Sequence, residues 1–525
     1  MQGHPNVPPA EGRLGAATHR VLKMLELHNT FPKCAFRTAL SESVATRDPS
    51  RSGSGQSTSR EQGRVVAAAG IEAGSRKAWP PGSAVVAGVL TVVAVLASAI
   101  TVVGSDALWL SAMGDHIRRR GSIPTGIPFA AAPSTNWVNT TVLGQMTFSV
   151  IHAAGSLGPV VAQIVAVTVT LAILAADATW RRATPVATAA VIVAVSLGAV
   201  TALFIARAQL LSLVPYALLL VLIRRQHDRP TNAIWWAVPL VAFWGNLHGA
   251  VLAGVAVLGC YLTVSRLRMS PRTAVGVGVA SLAAICLNPG LLDAPRYYLG
   301  VLGGAATSDD SGMWSRLSLA NPFDVLLLIS ATALAVLALG RRLPWWEYAA
   351  ALGLVVATLS SARHGIWLLL FLAVPAATRV RTPFKDPQPP PARSRWTLMV
   401  LPVVGLLGAA ALLAARAPSF RAADMEAARI TEMSAGRTVL APEPLAESLA
   451  VAGARVWASN PLDAFAHADQ TAYLAFMAGD SQGAARGLAA SDVVVALPGS
   501  PQEEVARSAG FRSATVVGAY HLLTR

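Results

Sequence analysis

Apolar runs dominate this chain and fix what it can become. They lie at about 83–104, 157–176, 184–206, 208–223, 232–245, 249–265, 273–288, 323–340, 346–361, 365–378 and 397–415. Several approach or exceed the roughly 20 residues that cross a bilayer as a helix. Only 13% of residues are charged and the mean hydropathy is +0.51, against about a quarter charged in a soluble domain. The expected fold class is therefore an α-helical polytopic membrane protein of about eleven spans, some short. The pair 232–245 and 249–265 fits either two spans or a re-entrant hairpin.

Basic residues set the expected orientation. With the N-terminal tail in the cytoplasm, the loops on that side hold fifteen Lys and Arg, among them Arg181, Arg224, Arg268, Arg342 and Arg379. The outer segments hold eight: Arg118, Arg119, Arg120, Arg207, Arg296, Arg316, Arg363 and Arg416. The net charge of +15 thus reads as membrane topology, and we expect no nucleic-acid partner. The first apolar run begins too late for a cleavable signal peptide.

Three domains are expected. Residues 1–80, rich in Ser, Gly and Arg, read as a disordered basic cytoplasmic tail. Residues 81–416 form the membrane domain, with a first outer loop at 105–156 and another at 288–322. Residues 417–525 turn acidic, and short β-like runs ("RTVLA", "ARVWAS", "DVVVALP", "ATVVGAYHLLT") alternate with helix-like stretches. They predict a soluble α/β domain, extracytoplasmic by span parity. Of Cys34, Cys260 and Cys286, no two form a plausible extracellular pair.

The topology collects polar residues on the outer side. Asp106 follows the first span, and Arg207 and Gln209 lie at the turn after the third. "WGNLHG" places Asn246 and His248 between two apolar runs, Asn288 and Pro289 open the second outer loop, and Arg363 and His364 occupy the turn before 365–378. Asn, Gly and Pro suit tight turns for backbone reasons alone, and an arginine can snorkel. Five such turns on one face favour a polar cavity, since polar groups at membrane depth need protein or water around them. In the first outer loop "ALWLSAMGDHIRRRG" reads as an amphipathic helix at the interface, with Trp109 as anchor. Asp115 and His116 read as solvated, and Arg118–Arg120 as a patch on lipid phosphate. Asp106 reads as a base, a metal ligand or a helix cap. Asp309-Asp310 offers a candidate divalent-cation site; the cofactor is otherwise unknown. No Walker loop, HExxH or zinc-type spacing is present.

From about residue 83 onward these motifs resemble the bacterial branch of the type-C glycosyltransferase superfamily, polytopic enzymes that use lipid-phosphate-linked sugars. The family's D-x-W-W-H-x-x-x-G is met at Asp106, Trp109 and Gly114, with Leu110 at the His position. Ile123, Pro124, Pro128 and Phe129 match the following "IP…PF". "WVNTTVLGQ" matches at Trp137, Val138, Leu143 and Gln145, but Asn139, Thr140 and Thr141 replace an acidic pair and a His. "RAQ" at Arg207–Gln209 stands for R-P-H. The W-x-N-x-H-G pattern is intact at Trp244, Asn246, His248 and Gly249, and Asn288-Pro289 and Arg363-His364 also match. "WASNPLDAFAHADQTAYLAFMAGD" resembles the family's strand, Asp-containing turn and helix.

The resemblance implies a glycosyltransferase of the bacterial plasma membrane, acting on its outer face on a polyprenyl-phosphate sugar donor drawn from the lipid. Asp106 would be the catalytic residue. Arg207, Gln209, Asn246, His248, Asn288, Arg363, His364 and Asn139 would bind substrate. A catalytically inactive relative that binds lipid-linked glycan, or scaffolds envelope assembly, and a transporter are the alternatives.

Overall fold

The computed structural model describes residues 83–134, 137–302, 316–340, 342–379 and 394–525. The proposed tail, Cys34 and Asp309-Asp310 lie outside the described residues.

Every predicted apolar run contains a helix. In chain order the helices are α1 (Ser83–Ile100), α2 (Ser105–Arg120), α3 (Val142–His152), α4 (Leu157–Trp180), α5 (Pro185–Gly198), α6 (Leu210–Asp228), α7 (Ala237–Gly245), α8 (Val251–Tyr261) and α9 (Pro271–Ile285). There follow α10 (Ala294–Leu302), α11 (Pro322–Leu339), α12 (Trp345–Ser360), α13 (Gly365–Ala377) and α14 (Ser394–Ser434). Among the described residues, five helices are long and apolar enough to cross a membrane. The thirteen residues of α13 are all buried, as an all-round apolar helix must be at the centre of a bundle. The rim is inverted relative to a soluble protein. Val336 of α11, Leu352 of α12 and Leu406 of α14 are 65%, 66% and 70% exposed, which suits contact with lipid.

The run 184–206 does not end as helix. After α5 the chain closes one further helical turn at Val200–Leu203 and extends into β2 (Ile205–Ala206). There it pairs in parallel with β1 (Val102–Val103), Val102 opposite Ile205 and Val103 opposite Ala206.

The C-terminal domain is α/β, as its alternating runs predict. Strands β3 (Thr438–Leu440), β4 (Arg455–Val456), β5 (Val493–Ala496), β6 (Ser513–Val517) and β7 (Tyr520–Thr524) form a sheet of order β4-β3-β5-β7-β6. β4, β3 and β5 run parallel, and the β6–β7 hairpin is antiparallel. Helices α15 (Leu445–Val451), α16 (His467–Ala478) and α17 (Pro501–Ser508) connect the strands.

The loop at 105–156 is built into this domain. Ala131 and Ala132 N–H donate to Val456 O and Trp457 O at 2.8 Å, and Val456 N–H donates to Phe129 O at 3.0 Å. The loop thereby covers the open edge of β4, which would otherwise leave its backbone groups unpaired. Two expectations for this loop fail. Trp109 is no interfacial anchor: it is 7% exposed and meets Trp137 edge-on at 6.1 Å, because α2 is covered by α3 and the C-terminal domain. Asp115 is not simply solvated. It is half-buried and accepts from the Ser149 hydroxyl, to which Arg118 donates at 2.9 Å.

Candidate functional site

The parallel ladder positions the first two charged groups. Gly104 N–H continues it, donating to Ala206 O at 2.9 Å. A Cβ on Gly104 would stand 3.0 Å from Arg207 Cγ, so only glycine lets the two strands close there without displacing that side chain. Asp106 follows two residues later in the first turn of α2. The ladder thus brings together residues about a hundred positions apart.

Arg363 arrives from the turn between α12 and α13. It interacts electrostatically with Asp106, Arg207 and Asp463. Gln209 ties the two turns together, its amide donating to Arg363 O at 3.3 Å.

The C-terminal domain adds two carboxylates that we did not single out from sequence. Glu443 follows β3 and Asp463 follows β4, both in loops at the carboxyl ends of parallel strands, where open α/β sheets place their ligands. Glu443 hydrogen-bonds Ser105 and lies within reach of Asp106 and Arg207. Asn460 joins it to Glu447. The Asn460 side-chain amide donates to Glu443 and, at 3.1 Å, to Glu447 Oε1, which also accepts from Asn460 N–H at 3.0 Å. Asp463 Oδ2 accepts from Tyr297 Oη at 2.7 Å and from Trp137 Nε1 at 3.2 Å. Trp137 and Tyr297, from two different stretches of chain, are thereby both tied to this domain.

Loss of water raises the pKa of Glu443, and Asp106 raises it further; Ser105, Asn460 and Arg207 oppose the shift. Loss of water likewise raises that of Asp463 against the hydrogen bonds from Tyr297 and Trp137. Carboxyl groups so placed hold a proton more readily than exposed ones. Asp106, Arg207, Arg363, Glu443 and Asp463 all stay partly exposed, so each can meet a ligand.

"WGNLHG" has a two-part answer. The Asn246 amide donates to Ala242 O at 2.9 Å and Leu287 O at 2.6 Å, closing α7 and tying it to the end of α9. Trp244 Nε1 donates to Ser212 Oγ at 2.7 Å, and Ser212 lies 2.8 Å from His248 Nδ1. Ala250 N–H reaches the same Nδ1 at 3.3 Å. A backbone N–H only donates, so Nδ1 accepts, and the neutral ring carries its proton on Nε2. Arg363 lies within electrostatic reach of this imidazole.

The other candidates are engaged by the fold. Asn139 and Gln145 exchange amide hydrogen bonds at 2.9 and 2.8 Å, both buried. The Asn288 amide donates to Ile285 O at 2.6 Å while its Oδ1 accepts from Gly290 N–H at 2.8 Å. His364 Nδ1 lies 3.1 Å from Ala357 O. The structure therefore gathers Asp106, Arg207, Arg363 and His248, and gives Asn139, Asn246 and Asn288 bonds that hold the surrounding turns. Among the described residues no three His, Cys, Asp or Glu side chains converge to hold a metal ion.

No family model matches the chain, and no curated protein matches it. Among solved structures, that of ArnT from Cupriavidus metallidurans bound to undecaprenyl phosphate matches it at 14% identity and a TM-score of 0.43, over 84% of this chain and 97% of that one.

Proposed function

We propose that the protein is a membrane glycosyltransferase that moves a sugar from a polyprenyl-phosphate donor to an envelope acceptor, at the outer face of a bacterial plasma membrane. One observation carries the reading: two arginines and three carboxylates from five separate stretches of chain meet in one partly exposed cluster. Arg207 and Arg363 supply the forked cations that suit a lipid-linked phosphate. Asp106 and Glu443 supply acceptors for a proton.

The chemistry needs little more. The acceptor hydroxyl attacks the anomeric carbon, and the bond from that carbon to the phosphate oxygen breaks. The hydroxyl proton passes to Asp106 or, through the elevated proton affinity of its neighbour, to Glu443. Polyprenyl phosphate leaves with the electron pair, and the two guanidinium groups stabilise the charge it gains. His248, donating from Nε2, orients sugar or phosphate.

The test is transfer from a panel of polyprenyl-phosphate hexoses and pentoses by the purified protein in nanodiscs. Asp106→Asn and Glu443→Gln should each lower turnover while donor binding persists. Full turnover in the double variant would remove both carboxylates from the chemistry.

A second reading rests on the Asn139–Gln145 lock, in which Asn139 puts a neutral amide where the resembling family shows an acidic residue. On that reading the protein binds the lipid-linked sugar without turning it over. Donor binding with no transfer from any panel member, unaltered by Asp106→Asn, would favour it.

A further inference from the structure

The opposite end of the bundle holds a cavity of about 790 Å³, within the range of about 300–1,000 Å³ typical of ligand sites. It lies where α4, α6, α12 and α13 have their other ends, about 27 Å along α6 from the charged cluster at 1.5 Å per residue. Five arginines line it: Arg181, Arg224, Arg268, Arg342 and Arg379.

Its floor is fixed. The Arg224 side chain is 2% exposed; it donates to Phe371 O at 2.6 Å and to Glu347 at 3.3 Å, and faces Asp177 at 3.8 Å. Arg181 is held by Asp177 at 3.2 Å and Asp228 at 2.9 Å. Around this floor stand Arg268 and Arg342, exposed, and Arg379, half-buried. None of these three has a carboxylate partner among the described residues. Set against Asp177, Asp228 and Glu347, the five arginines leave an excess of two positive charges. Hydrogen-bonding capacity is also unused: Arg181 Nη2, Arg379 Nε, His227 Nδ1 and Trp346 Nε1 have no partner among the described residues.

Orientation signals alone do not account for this. A topogenic arginine has only to lie in a loop on the correct side. Burying one on carboxylates deep at the helix ends, and setting three others around the same hollow, does not serve that end. A planar carboxylate is met by one guanidinium fork, whereas a tetrahedral phosphate offers oxygens to several at once.

We propose that this cavity binds an anionic phosphate group, carried either by a soluble phosphate compound or by an anionic lipid headgroup. The site is independent of the glycosyltransferase reading and stands or falls separately.

The test uses the full chain in nanodiscs. Inorganic pyrophosphate is titrated calorimetrically, and retention of phosphatidylglycerol against phosphatidylcholine is read by native mass spectrometry. Arg268→Gln/Arg379→Gln should weaken whichever ligand binds by tenfold or more, with the thermal midpoint unchanged. Arg268→Lys/Arg379→Lys should restore part of it. Saturable pyrophosphate binding lost in the Gln variant identifies a soluble ligand; selective phosphatidylglycerol retention lost in that variant identifies the lipid source. Should the double variant misfold, Arg342→Gln at its exposed position must show a smaller loss in the same direction. Absence of saturable binding of both probes to the intact protein, or binding indifferent to all these substitutions, overturns the proposal.

Discussion

The two ends of the helix bundle solve the problem of placing charge beside a membrane in opposite ways. At one end Asp106, Arg207 and Arg363 stand on turns and a two-residue ladder, and the C-terminal domain brings Glu443 and Asp463 to them. At the other end the charges stand directly on helix ends, and Arg224 is tied to Glu347 and a backbone carbonyl. The first arrangement keeps every charge partly exposed and brings mixed signs together. The second buries one ion-paired layer and surrounds it with arginine. A site assembled from several chain segments suits chemistry on a ligand; an ion-paired floor ringed by further arginines suits binding alone.

The largest expected effect tests the rigid end. Arg224→Met strips the partner from Glu347 and leaves Asp177 with Arg181 alone, and removing one member of a buried pair costs about 3–5 kcal/mol. A marked fall in thermal midpoint in detergent should follow. A midpoint like that of the wild type would mean that this floor is not structural, and the contrast between the ends would vanish.

Arg363→Gln is the matching cut at the assembled end. It should leave the fold largely intact and lower transfer by 10²–10³-fold, about 2.7–4 kcal/mol of transition-state stabilisation for one lost preorganised donor. A stability loss as large as that of Arg224→Met would show instead that the two ends are built alike. A finer cut is Gly104→Ala, whose Cβ would stand 3.0 Å from both Arg207 Cγ and Ile205 Cγ2. Displacing Arg207 by a few tenths of an ångström should lower transfer on the order of tenfold, less than the hundredfold that a full ångström can cost.

The helical ground plan was legible because each apolar run states its own environment, and the α/β domain because its strands and helices alternate. The site was legible only in part. Asp106, Arg207, His248 and Arg363 stood out as polar residues interrupting apolar sequence. Asn139, Asn246 and Asn288 stood out for the same reason, yet their amides hold turns; sequence cannot separate the two uses, because both need a polar residue at membrane depth. Glu443 and Asp463 passed unmarked among the eleven acids of the C-terminal domain. Their significance comes from docking that domain on α2 and the outer loops, a long-range contact with no local signature. Their place just after β3 and β4 was the available signal. Trp109 was misplaced for the same reason: an amphipathic helix looks alike whether lipid or another domain covers it.

The smallest expected effect concerns how that domain holds its acids. Glu447 is buried with Oε2 lacking a hydrogen-bond partner among the described residues; burial first, and then the neighbouring Glu443, raise its pKa. A carboxyl whose folded pKa exceeds its unfolded one binds protons more tightly when folded. Its contribution to stability is therefore complete below the ordinary carboxylate range and is lost as pH rises through the folded value. Glu447→Gln keeps the acceptor for Asn460 but cannot ionise. Wild-type stability should fall as pH climbs from the carboxylate range toward neutrality, and the variant's profile over that interval should be flatter, as read by thermal unfolding across pH. Identical slopes would mean that Glu447 ionises in the folded protein as easily as in the unfolded chain. The assembled end would then hold its acids in contact with water throughout.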